Sequence, residues 1–240
     1  MNILITNDDG ILAPALPHFA RWAQQYGNVT VIAPKVEQSG MSHAIVFTRP
    51  IEIKPVDIGE GIEAYSLDST PADCVRYAVT SFGKAFDVVF SGVNRGLNLG
   101  KDIVYSGTVG AIFEAARLGL HGFAFSADPS AVVESIAHLD RVMAFMQKHQ
   151  LAEKNKLYNI NIPPQGGEIR ITRQGGIFFT DVFVHRGNFL YEQEGEIQPG
   201  DGSDPEQDID AIYNGLISIT PLAVSLTDMT LFEELKTAEE

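Results

Sequence analysis

The sequence predicts an α/β fold built on a mostly parallel sheet flanked by helices, followed by a smaller region rich in β-hairpins. Three observations lead there. Short apolar, β-branched runs alternate with stretches of helical spacing, which is the pattern of βαβ units. The 240 residues are 45% hydrophobic, enough for a sizeable core. After Pro164 the alternation stops, and short strand-like runs separated by glycines take over.

The first element sets the frame. Asn2-Ile3-Leu4-Ile5-Thr6 reads as a buried parallel strand, and Asn7-Asp8-Asp9-Gly10 ends it. In open α/β sheets ligands bind outside the strands' carboxyl ends, where Asp8 and Asp9 would stand. Adjacent carboxylates repel each other and lose solvation when crowded. A hard divalent cation such as Mg²⁺ relieves that cost. A plain solvated Asp-Asp-Gly turn has the same sequence, so the tetrapeptide alone leaves both readings open.

Stretch 11–26 carries Leu12, Leu16, Phe19, Ala20 and Ala23 at helical spacing, with Pro17 blurring its start. Residues 29–34 form a second buried strand and complete a right-handed βαβ unit. Loop 35–49 has no period. It follows a parallel strand and so runs over the edge that carries Asp8 and Asp9. Ser39, before Gly40, can present a hydroxyl or an amide there, while a solvated polar loop is the plainer reading. His43 is read as a solvated loop histidine. Runs 51–53 and 62–65 alternate as half-buried strands. Ser69-Thr70-Pro71-Ala72-Asp73 starts a helix that reaches about residue 82 and buries Cys74. Asp68, just before it, can face the site, while a capping or turn role is the plainer reading.

Residues 87–91 are another buried strand. Beyond it glycines recur at 92, 96, 100, 107 and 110, a density that suggests backbone held close to a ligand. Ser106 or Thr108 can cap a helix over 111–118, whose free amides and dipole make a phosphate site. Two familiar motifs fail here. Gly96-Leu97-Asn98-Leu99-Gly100-Lys101-Asp102 is one spacer short of a nucleotide-triphosphate loop and has Asp102 where Ser or Thr is needed. The dinucleotide fingerprint should follow the first strand, where Asp8-Asp9-Gly10 stands instead.

Residues 122–126 predict a strand, 130–150 one long helix, and 157–162 the last strand of the core. In the second region, 169–172, 176–184 and 189–191 read as hairpin strands. Stretch 192–208 reads as an acidic, mobile connection. A helix over 207–214, a strand over 216–222, a short amphipathic helix and an acidic tail follow. The expected division is 1–164 and 165–240, with 216–222 able to return to the core.

Composition narrows the function. Seventeen Lys and Arg face 31 Asp and Glu, a net charge of −14, which argues against a nucleic-acid polymer bound through a basic surface. An anionic substrate then needs local compensation by a metal or by amides. No apolar run reaches membrane-span length, and no charged leader is visible. The single cysteine, Cys74, excludes an intramolecular disulfide and a cysteine-rich metal site. The expected setting is cytoplasmic.

Taken in order, Asn7-Asp8-Asp9-Gly10, Gln38-Ser39-Gly40, Ser91-Gly92-Val93-Asn94-Arg95-Gly96, Asn98-Leu99-Gly100, Tyr105-Ser106-Gly107-Thr108-Val109-Gly110 and Ser218-Ile219-Thr220-Pro221-Leu222 span nearly the whole chain. This set resembles the survival protein E (SurE) family of metal-dependent nucleotidases. The resemblance implies a Rossmann-like core and a C-terminal region for homo-oligomerisation, as a dimer or tetramer, often by exchange of elements between subunits. It implies hydrolysis of nucleoside 5'-monophosphates to nucleoside and phosphate, with 3'-nucleotides and short polyphosphate as further substrates. By matching motifs, Asp8, Asp9, Ser39 and Asn94 would ligate one Mg²⁺ or Mn²⁺ per subunit. Ser106, Gly107 and Thr108 would lie against the phosphate, with Asn98 nearby. Ala15 departs from the family's usual glycine, and Ala111-Ile112-Phe113-Glu114 is bulkier than usual; only packing changes are expected from either.

The residue chemistry agrees with this picture. A metal would polarise a phosphoryl oxygen or activate a water, and amides would meet the equatorial oxygens. An aspartyl-phosphate route through Asp8 or Asp9 ranks second, because metal ligation would occupy both carboxylates. A metal-dependent nucleotide-binding or signalling module without turnover is the alternative from another class. A nicotinamide oxidoreductase is disfavoured by the missing fingerprint.

Overall fold

A computed structural model of the chain describes residues 1–59 and 61–236. Its main sheet has nine strands: β1 (Asn2–Thr6), β2 (Asn28–Pro34), β3 (Ile53–Pro55), β4 (Glu63–Leu67), β5 (Val88–Arg95), β6 (His121–Ala127), β7 (Leu157–Ile162), β8 (Ile169–Ile171) and β11 (Ile217–Leu222). Their spatial order is β3-β4-β2-β1-β5-β6-β7-β11-β8. The strands from β4 through β7 in that order run parallel, and β3 and β11 join antiparallel to their inner neighbours. β9 (Phe179–Gly187) and β10 (Leu190–Ile197) form a separate antiparallel hairpin.

β1 pairs with β2 on one side and β5 on the other. The chain therefore reverses its direction of travel across the sheet at β1, which makes its carboxyl end the topological switch point. The period-2 alternation of β1 explains why helices cover both faces. Ile3 and Ile5 pack on one face with Leu16, Phe19, Ala20 and Ala23 of α1 (Ala15–Ala23). Leu4 packs on the other face with Cys74, Val75 and Ala78 of α2 (Pro71–Ser81) and with Ala111 and Ala115 of α3 (Gly107–Arg117). Fully burying one side chain such as Phe19 stabilises by about 1.5–3 kcal/mol.

Several boundaries differ from the sequence reading, each for a local reason. Residues 11–14 lie outside α1, because the Ile11 amide donates to Pro34 O (2.8 Å) and Ala13 to Gly10 O (3.1 Å). α3 begins at Gly107, where Ser106 Oγ accepts from the Val109 amide, earlier than the expected 111. The expected helix 130–150 is broken into α4 (Val132–Ser135), a 3₁₀ turn (Ile136–His138) and α5 (Leu139–Lys148). There Ser135 Oγ donates to Val132 O (2.7 Å), a local bond that competes with helical continuation. Gln150, at φ 52°, separates α5 from α6 (Leu151–Lys154).

The acidic stretch after Tyr191 is strand as far as Ile197, since β10 pairs along the whole of β9. Arg186 bridges Glu192 and Glu194 across that ladder, so the negative charges are partly neutralised in place. Asn188 and Phe189 both have positive φ and form the two-residue turn, which moves Phe189 out of the strand expected for it. α7 (Asp208–Tyr213) follows the connection, and β11 takes its place in the main sheet between β7 and β8. α8 (Met229–Leu235) closes the description, and the expected acidic tail lies outside the described residues.

Candidate active site

The turn after β1 is locked by its own asparagine. Asn7 Nδ2 donates to Gly10 O at 2.9 Å, and the Gly10 amide donates to Asn7 Oδ1 at 3.1 Å. This leaves Asp8 and Asp9 facing the start of α3 and the end of β5. Asp8 is 4% exposed. Thr108 donates to it twice, from its hydroxyl to Oδ1 at 2.6 Å and from its backbone amide to Oδ2 at 3.1 Å. Asp9 Oδ2 accepts from the Arg95 backbone amide at 3.1 Å.

Burial is the main cause that pushes the Asp8 carboxyl up to about 6; the Thr108 hydroxyl opposes it and the Asp9 charge adds to it. Asp9 is raised as well, again chiefly by burial, against the pull of the Arg95 amide. Both carboxyls are raised, so keeping the pair charged carries an energetic cost that a cation would relieve. Among the described residues no cluster of three or more His, Cys, Asp or Glu side chains forms a metal cage. A cation here would meet two carboxylates and neutral oxygens, the donor set that hard ions accept.

The other expected residues fall into three groups. Asn94, at the end of β5, donates through Nδ2 to Gly96 O (2.8 Å), which leaves Oδ1 as the atom available to a ligand. Ser39 is exposed, and its hydroxyl donates to Glu37 Oε1 (2.7 Å) rather than to either aspartate. Its loop is nevertheless tied to the site, because the Gln38 amide donates to Asp8 O (2.7 Å). At the start of α3 the Thr108 amide goes to Asp8 and the Val109 amide to Ser106 Oγ. Among the described residues the Gly107 amide then has no protein partner. A Cβ on Gly107 would stand 3.0 Å from Asp8 Cβ and 3.1 Å from Asp8 Oδ2, so glycine is what lets α3 approach the carboxylate.

Asn98 is held from below. Its amide donates to Asn161 Oδ1 (2.8 Å), and its carbonyl accepts from Asn159 (2.9 Å) and Asn161 (2.8 Å). Its own Nδ2 donates to Ser126 Oγ (2.8 Å). Sequence reasoning missed Asn159, Asn161 and Ser126. The signal was present in Leu157-Tyr158-Asn159-Ile160-Asn161-Ile162, where two asparagines at period 2 put amides on one face of a buried strand.

Residues 3–181 match the family described as Survival protein SurE. The chain belongs to the SurE family. It is 36% identical to the 5'-nucleotidase SurE of Caldanaerobacter subterraneus subsp. tengcongensis, over 98% of this chain and 96% of that protein. It is also 36% identical to the 5'-nucleotidase SurE of Thermosipho africanus, over 100% of this chain and 97% of that protein. The crystal structure of the SurE protein from Aquifex aeolicus matches with a TM-score of 0.81 at 32% identity, covering both chains fully. The SurE membership extends beyond the aspartate turn, since the matched stretch runs through α3 and into β9. Beside Asp9 a cleft of about 630 Å³ opens, lined among others by Lys35, Glu37, Arg95 and Pro129.

Proposed function

We propose that this chain is a divalent-metal-dependent phosphomonoesterase that hydrolyses nucleoside 5'-monophosphates to nucleoside and phosphate. One observation carries the reading: the buried Asp8 is bonded directly to the start of α3 through both donors of Thr108. A cation-type donor set and an anion-type helix start are thereby in contact. The names of the SurE relatives support the substrate class.

In this reading Asp8, Asp9, Asn94 Oδ1 and Ser39 hold one Mg²⁺ or Mn²⁺ per subunit. The bound ion would supply polarisation of a phosphoryl oxygen and a water of lowered pKa. Thr108 fixes the orientation of Asp8, so its contribution passes through the carboxylate. Gly107 offers its free amide to a phosphate oxygen, and Ser106 keeps that helix start capped. Asn98, clamped by β7, borders the same edge. 3'-Nucleotides and short polyphosphate belong to the proposed substrate range. A cytoplasmic setting and a homodimer or larger assembly through residues 165–240 complete the reading. Among the described residues no helix is long and apolar enough to cross a membrane.

The test is phosphate release from a panel of nucleoside monophosphates with Mg²⁺, with Mn²⁺ and with chelator. Metal-dependent release is expected. Nucleotide binding with no release under any metal would favour the binding-module reading instead.

A further inference from the structure

Glu114, one helical face along from the phosphate-site end of α3, is a carboxylate only 1% exposed. Three cationic-type side chains converge on it. Arg117 donates at 2.6 and 2.9 Å, Arg76 of α2 lies at 3.2 Å, and His43 Nε2 lies at 2.9 Å. Burial alone would raise this carboxyl, but the bonds from Arg117 and His43 hold it below its ordinary range. Arg76 and Arg117 belong to the helices that frame the site. His43 belongs to loop 35–49, the segment that carries Ser39.

The loop is also tied to the 3₁₀ segment Gly100–Tyr105 that leads into α3. Ser42 donates from its amide to Tyr105 O (2.9 Å) and from its hydroxyl to Val104 O (2.6 Å). A Cβ on Gly110 would stand 2.3 Å from Ser42 O, so the helix surface is cut away where the loop lies. Hydrophobic burial does not explain the seat, because Phe47 is 83% exposed and Met41 and Ile45 are exposed too. Polar contacts do the ordering: Thr70 Oγ1 donates to Ala44 O (2.7 Å), the Val46 amide donates to Asp73 Oδ2 (2.8 Å), and His43 reaches the buried Glu114.

We propose that Glu114 is a positioning residue that, through His43, holds the Ser39 loop over the two aspartates and so sets the affinity of the site for its divalent ion. The proposal rests on the metal reading given above. It casts Glu114 and His43 as an outer layer around the ion: neither touches it, and both fix where a ligand can stand.

The experiment uses the full chain. Mn²⁺ binding is measured by titration calorimetry for wild type, His43→Ala, His43→Gln and Glu114→Gln, with Tm and proteolytic cleavage within residues 36–47 recorded in parallel. His43→Ala is expected to weaken Mn²⁺ binding about tenfold or more, the scale of outer-layer changes at metal sites. Cleavage in the loop is expected to accelerate, while kcat at saturating Mn²⁺ stays within about twofold. His43→Gln, which keeps a donor for the carboxylate, is expected to restore most of the affinity. Glu114→Gln is expected to shift affinity in the same direction; if that buried variant fails to fold, the two His43 variants still decide. Unchanged Mn²⁺ affinity in His43→Ala overturns the proposal, as does a loss that His43→Gln fails to reverse. No Mn²⁺ binding by the wild-type chain would mark failure of the metal reading, a result distinct from either of these.

Discussion

The switch-point edge and the β9–β10 hairpin are both studded with charged side chains, yet they handle charge and apolar surface in opposite ways. At the edge, Asp8 is buried beside Asp9 and takes the neutral donors of Thr108, and its carboxyl is raised to about 6. In the hairpin, Glu192 and Glu194 lie in solvent against Arg186, where such pairs contribute roughly 0–1 kcal/mol each. The apolar surface is distributed the other way round. Behind the edge, Ile3, Leu4 and Ile5 are fully buried, whereas Phe183 of the hairpin is 71% exposed and Val182 lies open beside it. One region is electrostatically strained and hydrophobically satisfied, and the other is the reverse. In the proposed reading a cation would relieve the first and a partner subunit would cover the second.

The sharpest way to break this contrast is Asp8→Asn. Metal-dependent phosphate release is expected to fall about 10³-fold or further, because in the proposed reading Asp8 is a ligand whose charge meets that of the ion. The apo protein is expected to gain stability at pH 7, by about 1–2 kcal/mol or a few degrees in Tm, because burial of the charge is relieved. Calorimetric melting with chelator present checks the second part. A lower apo Tm would show that the Thr108 bonds outweigh the burial.

Next in size is the helix start. Gly107→Ala and Thr108→Val are each expected to cost about 10²-fold in kcat, the scale of losing one placed donor or misplacing a reacting group by about 1 Å. Steady-state rates and inhibition by inorganic phosphate measure this. If phosphate inhibits both variants as it does wild type while only metal affinity drops, Thr108 and Gly107 act on Asp8 alone.

A pH series sharpens the electrostatic half. The folded carboxyl of Asp8 lies above its unfolded value, so the folded state binds that proton more tightly. This group's contribution to apo stability is therefore most favourable below pH 4 and is lost as pH rises through about 6, by up to about 3 kcal/mol. Glu114 acts in the opposite sense, since its lowered value gives stability that is lost in acid. Subtracting the Asp8→Asn curve from wild type isolates the Asp8 part. A flat difference between pH 4 and 7 would show that Asp8 is not strained.

The smallest expected effect belongs to the hairpin. Phe183→Lys should change the stability of a single subunit by no more than about 0.5 kcal/mol, as exposed substitutions do. Assembly should respond instead, since an isolated hairpin is marginal and its apolar face needs cover. Light scattering at micromolar concentration is expected to give a dimer or larger for wild type and dissociation for the variant. A 26.2 kDa species for wild type would remove the assembly proposal.

The α/β class and the parallel strands were legible because β1, β2, β5, β6 and β7 are short apolar runs that periodicity exposes directly. The aspartate turn was legible for the same reason: it sits where an apolar strand stops. Long-range polar contacts left little trace. Nothing near Asp8 announces that Thr108 will donate to it, and His43 looks like any loop histidine until Glu114 is seen beneath it. The break at Ser135 and the extension of β10 through acidic residues were hidden because local hydrogen bonding overrode composition.

The bond between Asp8 and Thr108 also has a consequence in time. The two residues lie 100 positions apart. A ribosome therefore delivers the aspartate turn well before the helix whose Thr108 bonds Asp8, and that contact waits on closure of a loop of this length. Until α3 docks, Asp8 lacks both Thr108 donors, although the Asn7–Gly10 bonds that shape its turn are local. Chains truncated before residue 107 are expected to show no Mn²⁺ binding above that of a flexible Asp-Asp peptide, and calorimetry on such fragments would show it. The Asp8–Thr108 contact can form only after nearly half of the sequence has been made.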